Sequence, residues 1–171
     1  IRNSAPELSD IPNQSIDEEE IFNYILEATD PDEDELVFDS SIDGNGVVSV
    51  DGDVLTIVID QDYNGDILVN VTVTDGEFID SDDFVLTVLP INDDPVLDNI
   101  SDFNFDEDES ETIIVTATDV ELDNLSYACN SLGINIGCSV NGDQITFTAS
   151  TDFFGTESVT IAVQDGNGGE D

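Results

Sequence analysis

Three acids stand at alternate positions in Asp30-Pro31-Asp32-Glu33-Asp34, and the triad returns 89 residues later as Asp119, Glu121 and Asp123. Other acids return with it. Asp17-Glu18-Glu19-Glu20 becomes Asp106-Glu107-Asp108-Glu109, and Thr74-Asp75-Gly76 becomes Gln164-Asp165-Gly166 with one residue inserted between. On an extended segment, carboxylates at i, i+2 and i+4 share a side; on a turn they converge. Six to eight oxygens from carboxylates, amides and carbonyls are what Ca²⁺ takes. Without a cation, two carboxylates about 4 Å apart repel by about 1 kcal/mol in water and about 4 kcal/mol near a protein surface. A divalent ion inverts that sign and turns the cluster into a clamp.

The spacing at Asp30 is not that of an EF-hand loop. Glu35 stands where that loop needs Gly, and Ser41 where it needs a bidentate Glu. Asp60-Gln61-Asp62-Tyr63-Asn64-Gly65-Asp66 has the Gly but places Val71 at the last ligand position. Its copy, Ser150-Thr151-Asp152-Phe153-Phe154-Gly155, keeps one acid. A private cation site at 60–66 and a solvated turn both remain open readings there.

A net charge of −41, with 42 acids and a single basic residue (Arg2), excludes several function classes. Nucleic-acid binding needs a Lys/Arg footprint, and anionic membranes repel such a chain. With no Lys there is neither Schiff-base chemistry nor a Lys–Asn isopeptide staple. With no His there is no imidazole base, and catalysis finds no constellation to rest on. Self-repulsion opposes compaction, so bound cations, high salt or both must offset it. Acid enrichment as a general salt adaptation is the competing explanation, but it would scatter acids more freely than the matched clusters do.

Fixed-period self-similarity means an array of like modules; here two are expected, 1–91 and 92–171. Period-2 alternation dominates: Val69, Val71 and Val73, then Val159, Ile161 and Val163. Strands are expected at 21–28, 36–38, 47–50, 54–59, 69–73 and 84–91, with counterparts near 112–118, 125–128, 138–141, 144–149 and 159–163. Gly, Asn and Asp punctuate them. The stretch 18–28 is ambiguous alone, but its copy Thr112-Ile113-Ile114-Val115-Thr116 is β-branched and reads as strand. About seven short strands per module predict two β-sandwiches. The second is expected to lack the counterpart of the last strand, 84–89; truncation and donation of that strand by another chain both account for this. Cys129 and Cys138, nine apart, predict a local disulfide. Asn-x-Ser/Thr sequons occur at Asn13, Asn70, Asn99 and Asn124.

Taken together, "ATDPDEDELVF", "ATDVELDNLSY", "LTIVIDQDYNG", "VTVTDG" and the joining "NDDP" resemble the cadherin-like tandem repeats of large bacterial and archaeal surface proteins. The resemblance covers essentially the whole chain. It implies immunoglobulin-like Greek-key sandwiches with Ca²⁺ clamping the junction between repeats. Carried over residue by residue, it implies a junction set of Glu18 or Glu20, Asp60, Asp62, Asn92, Asp93, Asp119, Glu121 and Asp165. A second set, Asn3, Asp30, Asp32 and Asp75, would serve a junction with a repeat upstream. Two departures, Pro90 where the family linker has an acid and Pro95 directly after Asp94, make one or two ions a better expectation than three.

The expectation is therefore a non-enzymatic, extracellular structural or adhesive segment with Ca²⁺ as its cofactor. Its partners would be adjacent repeats, further copies of itself or surface glycans, without nucleic acid or membrane insertion. A filament subunit joined by strand donation is one alternative. A carbohydrate-binding module is another, although Trp is absent and Tyr occurs only three times.

Overall fold

A computed structural model describes residues 2–171. The chain divides into two compact units, Ile1–Ile91 and Asn92–Asp171. Every element among the described residues is a strand, so none is a helix long and apolar enough to cross a membrane.

Unit 1 carries β1 (Glu7–Leu8), β2 (Gln14–Asp17), β3 (Ile21–Ile25), β4 (Ala28–Thr29), β5 (Val37–Ile42), β6 (Gly46–Asp51), β7 (Val54–Ile59), β8 (Gly65–Thr74) and β9 (Ile79–Leu89). One sheet runs β2-β9-β8-β5, a second β3-β7-β6, and β1 pairs with β4. All pairings are antiparallel except β2 with β9. The alternation does what period 2 requires. Ile67, Val69, Val71 and Val73 of β8 are fully buried, and they meet Leu55 and Ile57 of β7 and Phe84, Leu86 and Val88 of β9 in one core. Each such side chain contributes about 1.5–3 kcal/mol of transfer free energy. The ambiguous stretch 18–28 resolves as β3 and β4, with Phe22 buried beside Phe84.

Two strands, β2 and β1, escape the periodicity because they are short and hold position through long-range bonds. Asp80 and Asp82, pointing inward from the start of β9, accept the backbone N–H groups of Leu8 and Ile11 at 2.8 and 2.7 Å. Asn13 Oδ1 accepts the N–H of Val85. Asn70, one of the sequon residues, donates its side-chain amide to Asp83 at 2.8 Å.

Unit 2 carries β10 (Val96–Leu97), β11 (Ser110–Ile114), β12 (Ala117–Thr118), β13 (Ser126–Ser131), β14 (Ile136–Asn141), β15 (Gln144–Ala149) and β16 (Val159–Gln164). Its sheets are β11-β15-β14 and β13-β16, with β10 against β12. Val115, Ile145, Phe147 and Val163 are buried. The described residues hold no counterpart of β9, and the copy of β2, residues 103–106, is not a strand.

Cys129 and Cys138 are bonded, with Cα atoms 6.2 Å apart. The bond is not a rung within one hairpin sheet. Cys129 lies on β13, which pairs with β16, and Cys138 on β14, which pairs with β15, so the disulfide ties the two sheets together. The equivalent positions in unit 1 are Ser40 and Val48.

Candidate functional site

The acids that return in the sequence build the same hydrogen-bonded network in each unit. In unit 1, the chain leaves β4 at Asp30. Asp30 Oδ1 accepts the N–H groups of Asp32 and Asp34 at 2.8 and 3.3 Å, so this carboxylate closes its own turn. Its other oxygen, Oδ2, is buried and has no hydrogen-bond partner. The Ser4 N–H reaches Asp32 Oδ2 at 2.7 Å, and Asn3 Nδ2 reaches Asp75 Oδ2 at 3.1 Å. Asp75 Oδ1 accepts from the N–H groups of Glu77 and Phe78 after β8.

Unit 2 repeats most of these bonds. Asp119, after β12, uses Oδ1 for the N–H of Asp123 at 2.8 Å, and its Oδ2 is buried without a partner. The Asp93 N–H reaches Glu121 Oε2 at 3.2 Å, while Glu121 Oε1 is buried and unpartnered. Asn92 Nδ2 donates to Asp165 Oδ2 at 2.7 Å. Asp165, itself buried, takes the N–H groups of Asn167, Gly168 and Gly169 on Oδ1. Carboxylate oxygens of Asp119, Asp123 and Asp165 lie within 4.8 Å of one another. Gly169 is required by close approach: a Cβ there would sit 2.3 Å from Asp165 Oδ2 and 2.9 Å from the Asp94 Cα.

Buried polar atoms are normally paired. An unpaired buried oxygen costs about 1–3 kcal/mol, and more when the group is charged. Here the same orphaned oxygen occurs at Asp30 and at its copy Asp119, and at Asp119 it belongs to a carboxylate clustered with those of Asp123 and Asp165. A hard cation with oxygen ligands satisfies such atoms, and the donor set of carboxylates and side-chain amides suits Ca²⁺. Hydrogen bonds favour the ionised form of two of these carboxylates, Asp75 and Asp165. The N–H of Phe78 foremost, with Glu77 and Asn3, holds Asp75 below the usual carboxylate range, against a weaker push from burial. For Asp165 the leading cause is the Asn92 amide, followed by the loop N–H groups of residues 167–169, again against burial.

The remaining expected residues distribute differently. In unit 1, Glu18 is buried; Oε1 accepts the N–H of Ile91 at 2.5 Å, and Oε2 has no partner. Glu20 is exposed in a turn closed on Asp17. It is Glu19, with φ 67°, that brings a carboxylate oxygen within 4.8 Å of one on Asp62. Asp60 is exposed and accepts the Tyr63 N–H through its carbonyl. In unit 2, Asp93 and Glu121 place carboxylate oxygens within 4.8 Å of each other. Glu107, the copy of Glu18, is exposed. Sequence reasoning missed Glu19 and Asn167, whose side chain donates to Asp123 at 2.6 Å. Neither belongs to the alternating triad; the signal for Glu19 was its place in a three-acid turn, where a left-handed residue redirects the side chain.

Residues 92–171 match the family of bacterial Ig domains. No curated protein sequence matches the chain. Two structures of human protocadherin-24 EC1-2 are similar: one at 14% identity over 95% of this chain and 88% of that chain, TM-score 0.57, the other at 16% identity over 95% and 86%, TM-score 0.51. An endo-fucoidan hydrolase of glycoside hydrolase family 107 aligns at 14% identity and TM-score 0.43 over 97% of this chain; the chain spans 27% of that protein's length. The protocadherin likeness and the family match together make the fold a tandem of Ig- or cadherin-like β-sandwiches.

Proposed function

We propose that the chain is a non-enzymatic, extracellular structural or adhesive segment of a larger surface protein, and that Ca²⁺ held by the repeated acid networks stiffens it. The observation that carries this is the doubled orphan: Asp30 Oδ2 and Asp119 Oδ2, buried and unpartnered at matched positions in two copies of one network. Asp119, Glu121, Asp123 and Asp165 would hold an ion in unit 2, and Asp30, Asp32 and Asp75 one in unit 1. The ion would supply charge neutralisation and nothing catalytic.

The route to stiffness runs along the chain. Glu18 holds the N–H of Ile91, and the next residue, Asn92, is held by Asp165. The linker is therefore bound by an acid of each unit in turn. Neutralising Asp165 and its neighbours Asp119 and Asp123 with Ca²⁺ removes the repulsion that works against the attachment of Asn92. The match to a bacterial Ig domain, a non-catalytic domain type, supports the structural reading and the extracellular setting. Isothermal titration with CaCl₂ at fixed high salt tests it, paired with small-angle scattering of the same samples. Saturable binding with a narrowed distribution of particle dimensions is expected. Heats no larger than dilution, with scattering unchanged by chelator, would refute it.

A further inference from the structure

The sheet β3-β7-β6 of unit 1 is apolar on both faces, and the core uses one of them. Phe22, Tyr24, Val48, Val50, Leu55 and Ile57 point inward and pack in the core. The alternate positions, on the outer face, are aliphatic as well: Ile21, Ile25, Val47, Val54 and Val58 are exposed by 37–68%. The strand register sets them side by side. Ile21, Val58 and Val47 form one row across the three strands, and Ile25 stands opposite Val54. Asn23, Thr56 and Ser49 lie between these rows, with the Thr56 hydroxyl donating to Asn23 at 2.9 Å. A half-buried strand alternates apolar with polar residues; strands apolar in both phases are those of sheets covered on both sides.

The fold itself does not ask for these residues. In unit 2, Ser110, Thr148 and Gly137 stand where Ile21, Val58 and Val47 stand in unit 1, and Ser110 and Thr148 share a hydrogen bond at 3.0 Å. Nor does strand composition explain the missing charge. The other sheet of unit 1 carries exposed Asp17, Asp39, Asp66 and Asp83 on its strands, whereas the outer face of β3-β7-β6 presents one acid, Asp51, at the end of β6. Acids surround this face instead: Glu20 before Ile21, Glu27 after Ile25, Asp53 before Val54 and Asp60 after Ile59, all exposed. An apolar centre within a charged rim is the anatomy of a contact surface. The five aliphatic side chains expose on the order of 400 Å², the size at which an apolar patch marks such a contact.

We propose that the outer face of β3-β7-β6 binds a second copy of the chain, face to face and two-fold related, and that ionic strength gates the contact. Two chains of net charge −41 repel wherever their acids meet; on this face aliphatic side chains meet instead. The face is self-complementary. About a two-fold axis running along β7, the Ile21–Val58–Val47 row meets the same row in the opposite order, and Asp51 falls opposite Ile25, away from the Asp51 of the second copy. Two such faces bury roughly 1,000 Å² in total, at the lower bound of a specific interface, so the contact between single chains is weak. The rim acids oppose it at low salt and are screened to about 3 Å at 1 M. This inference does not depend on Ca²⁺ binding.

Sedimentation equilibrium of the full 171-residue chain in EDTA tests this, at about 0.1 and about 1 M NaCl and from about 10 µM to about 1 mM protein. At the lower salt the apparent mass should stay at the 18.4 kDa of one chain. At the higher salt it should rise with concentration towards twice that value and stop there. Val47→Glu with Val58→Glu should weaken dimerisation about tenfold or more. Leu68→Glu with Ile79→Glu, the same added charge at exposed positions of the other sheet, should leave it within about twofold of the parent. Asp51→Asn should move the onset of dimerisation to lower salt. Where the Glu pair on β6 and β7 lowers the melting temperature, Val47→Thr with Val58→Thr, which keeps β-branching at both positions, makes the same comparison. A monomer at every concentration and salt, association that is stronger at the lower salt, or equal weakening by the two Glu pairs overturns the proposal. So does unchanged dimerisation in the Val47→Glu, Val58→Glu variant, which would place the contact elsewhere.

Discussion

Asp119→Asn separates the two states of the acid network because it changes their stabilities with opposite sign. Asn keeps an Oδ1 to accept the Asp123 N–H at 2.8 Å, so the turn stays closed. What it removes is a charge whose oxygen lies within 4.8 Å of those of Asp123 and Asp165, together with the orphaned Oδ2. Without Ca²⁺ the variant should therefore melt no lower than the parent. With Ca²⁺ the parent gains RT ln(1 + [L]/Kd). At 10 mM Ca²⁺ and a Kd of about 100 µM, in the range of extracellular modules, this is about 2.7 kcal/mol. For a unit of this size that corresponds to roughly 11–22 °C in Tm. Loss of one carboxylate ligand, raising Kd about tenfold, leaves about 1.4 kcal/mol and half the shift. Differential scanning calorimetry in about 0.5 M NaCl, which screens the general charge to a few ångströms, makes the comparison. Equal Ca²⁺-induced shifts in parent and variant would refute the assignment of Asp119. So would a variant that is equally destabilised with and without Ca²⁺.

Three further outcomes follow from the same geometry. Replacing Cys129 and Cys138 by Ser opens a short loop and separates the two sheets of unit 2; the loop-closure estimate is about 2–3 kcal/mol, read by urea unfolding of unit 2 with unit 1 as internal reference. Gly169→Ala places a Cβ against the Asp165 carboxylate and the Asp94 backbone, so Ca²⁺ affinity, measured by titration, should fall at least tenfold. Acid should unfold the chain in a defined direction. Asp75 and Asp165 have lowered folded pKa values from hydrogen bonds, and so does Glu157, where burial pushes upward but the Asn135 side chain and the Ile136 and Asn135 N–H groups outweigh it. A lowered folded pKa contributes stability that is fully present above the unfolded value, near pH 4, and lost as pH falls through the folded value. Tm should be flat from pH 7 to about pH 5 in Ca²⁺-free buffer and fall below pH 4; Glu157→Gln should make that fall shallower.

Much of the fold was legible because it rests on local alternation. Val69, Val71 and Val73 face one way whatever surrounds them, so β8 could be read from its own residues, and the repeat carried the same reading to β16. The short strands were not legible. Nothing in Gln14–Asp17 distinguishes a strand; it becomes one through pairing with Leu86–Leu89, some seventy residues on. The disulfide was legible as a pair but not as a tie between sheets, since spacing cannot tell which neighbour each strand takes.

The acid network divides in the same way. Sequence alone determined that Asp30, Asp32 and Asp75 have partners in Asp119, Glu121 and Asp165, because identity at fixed spacing is a property of the chain. Only the tertiary structure decided what each oxygen does. It turned Asp30 Oδ1 and Asp119 Oδ1 onto their own turns, left the Oδ2 atoms buried without donors, and chose Glu19 over Glu20 to approach Asp62. The physical reason is that burial and hydrogen-bond pairing depend on what the fold brings alongside a side chain, and local sequence does not contain that information.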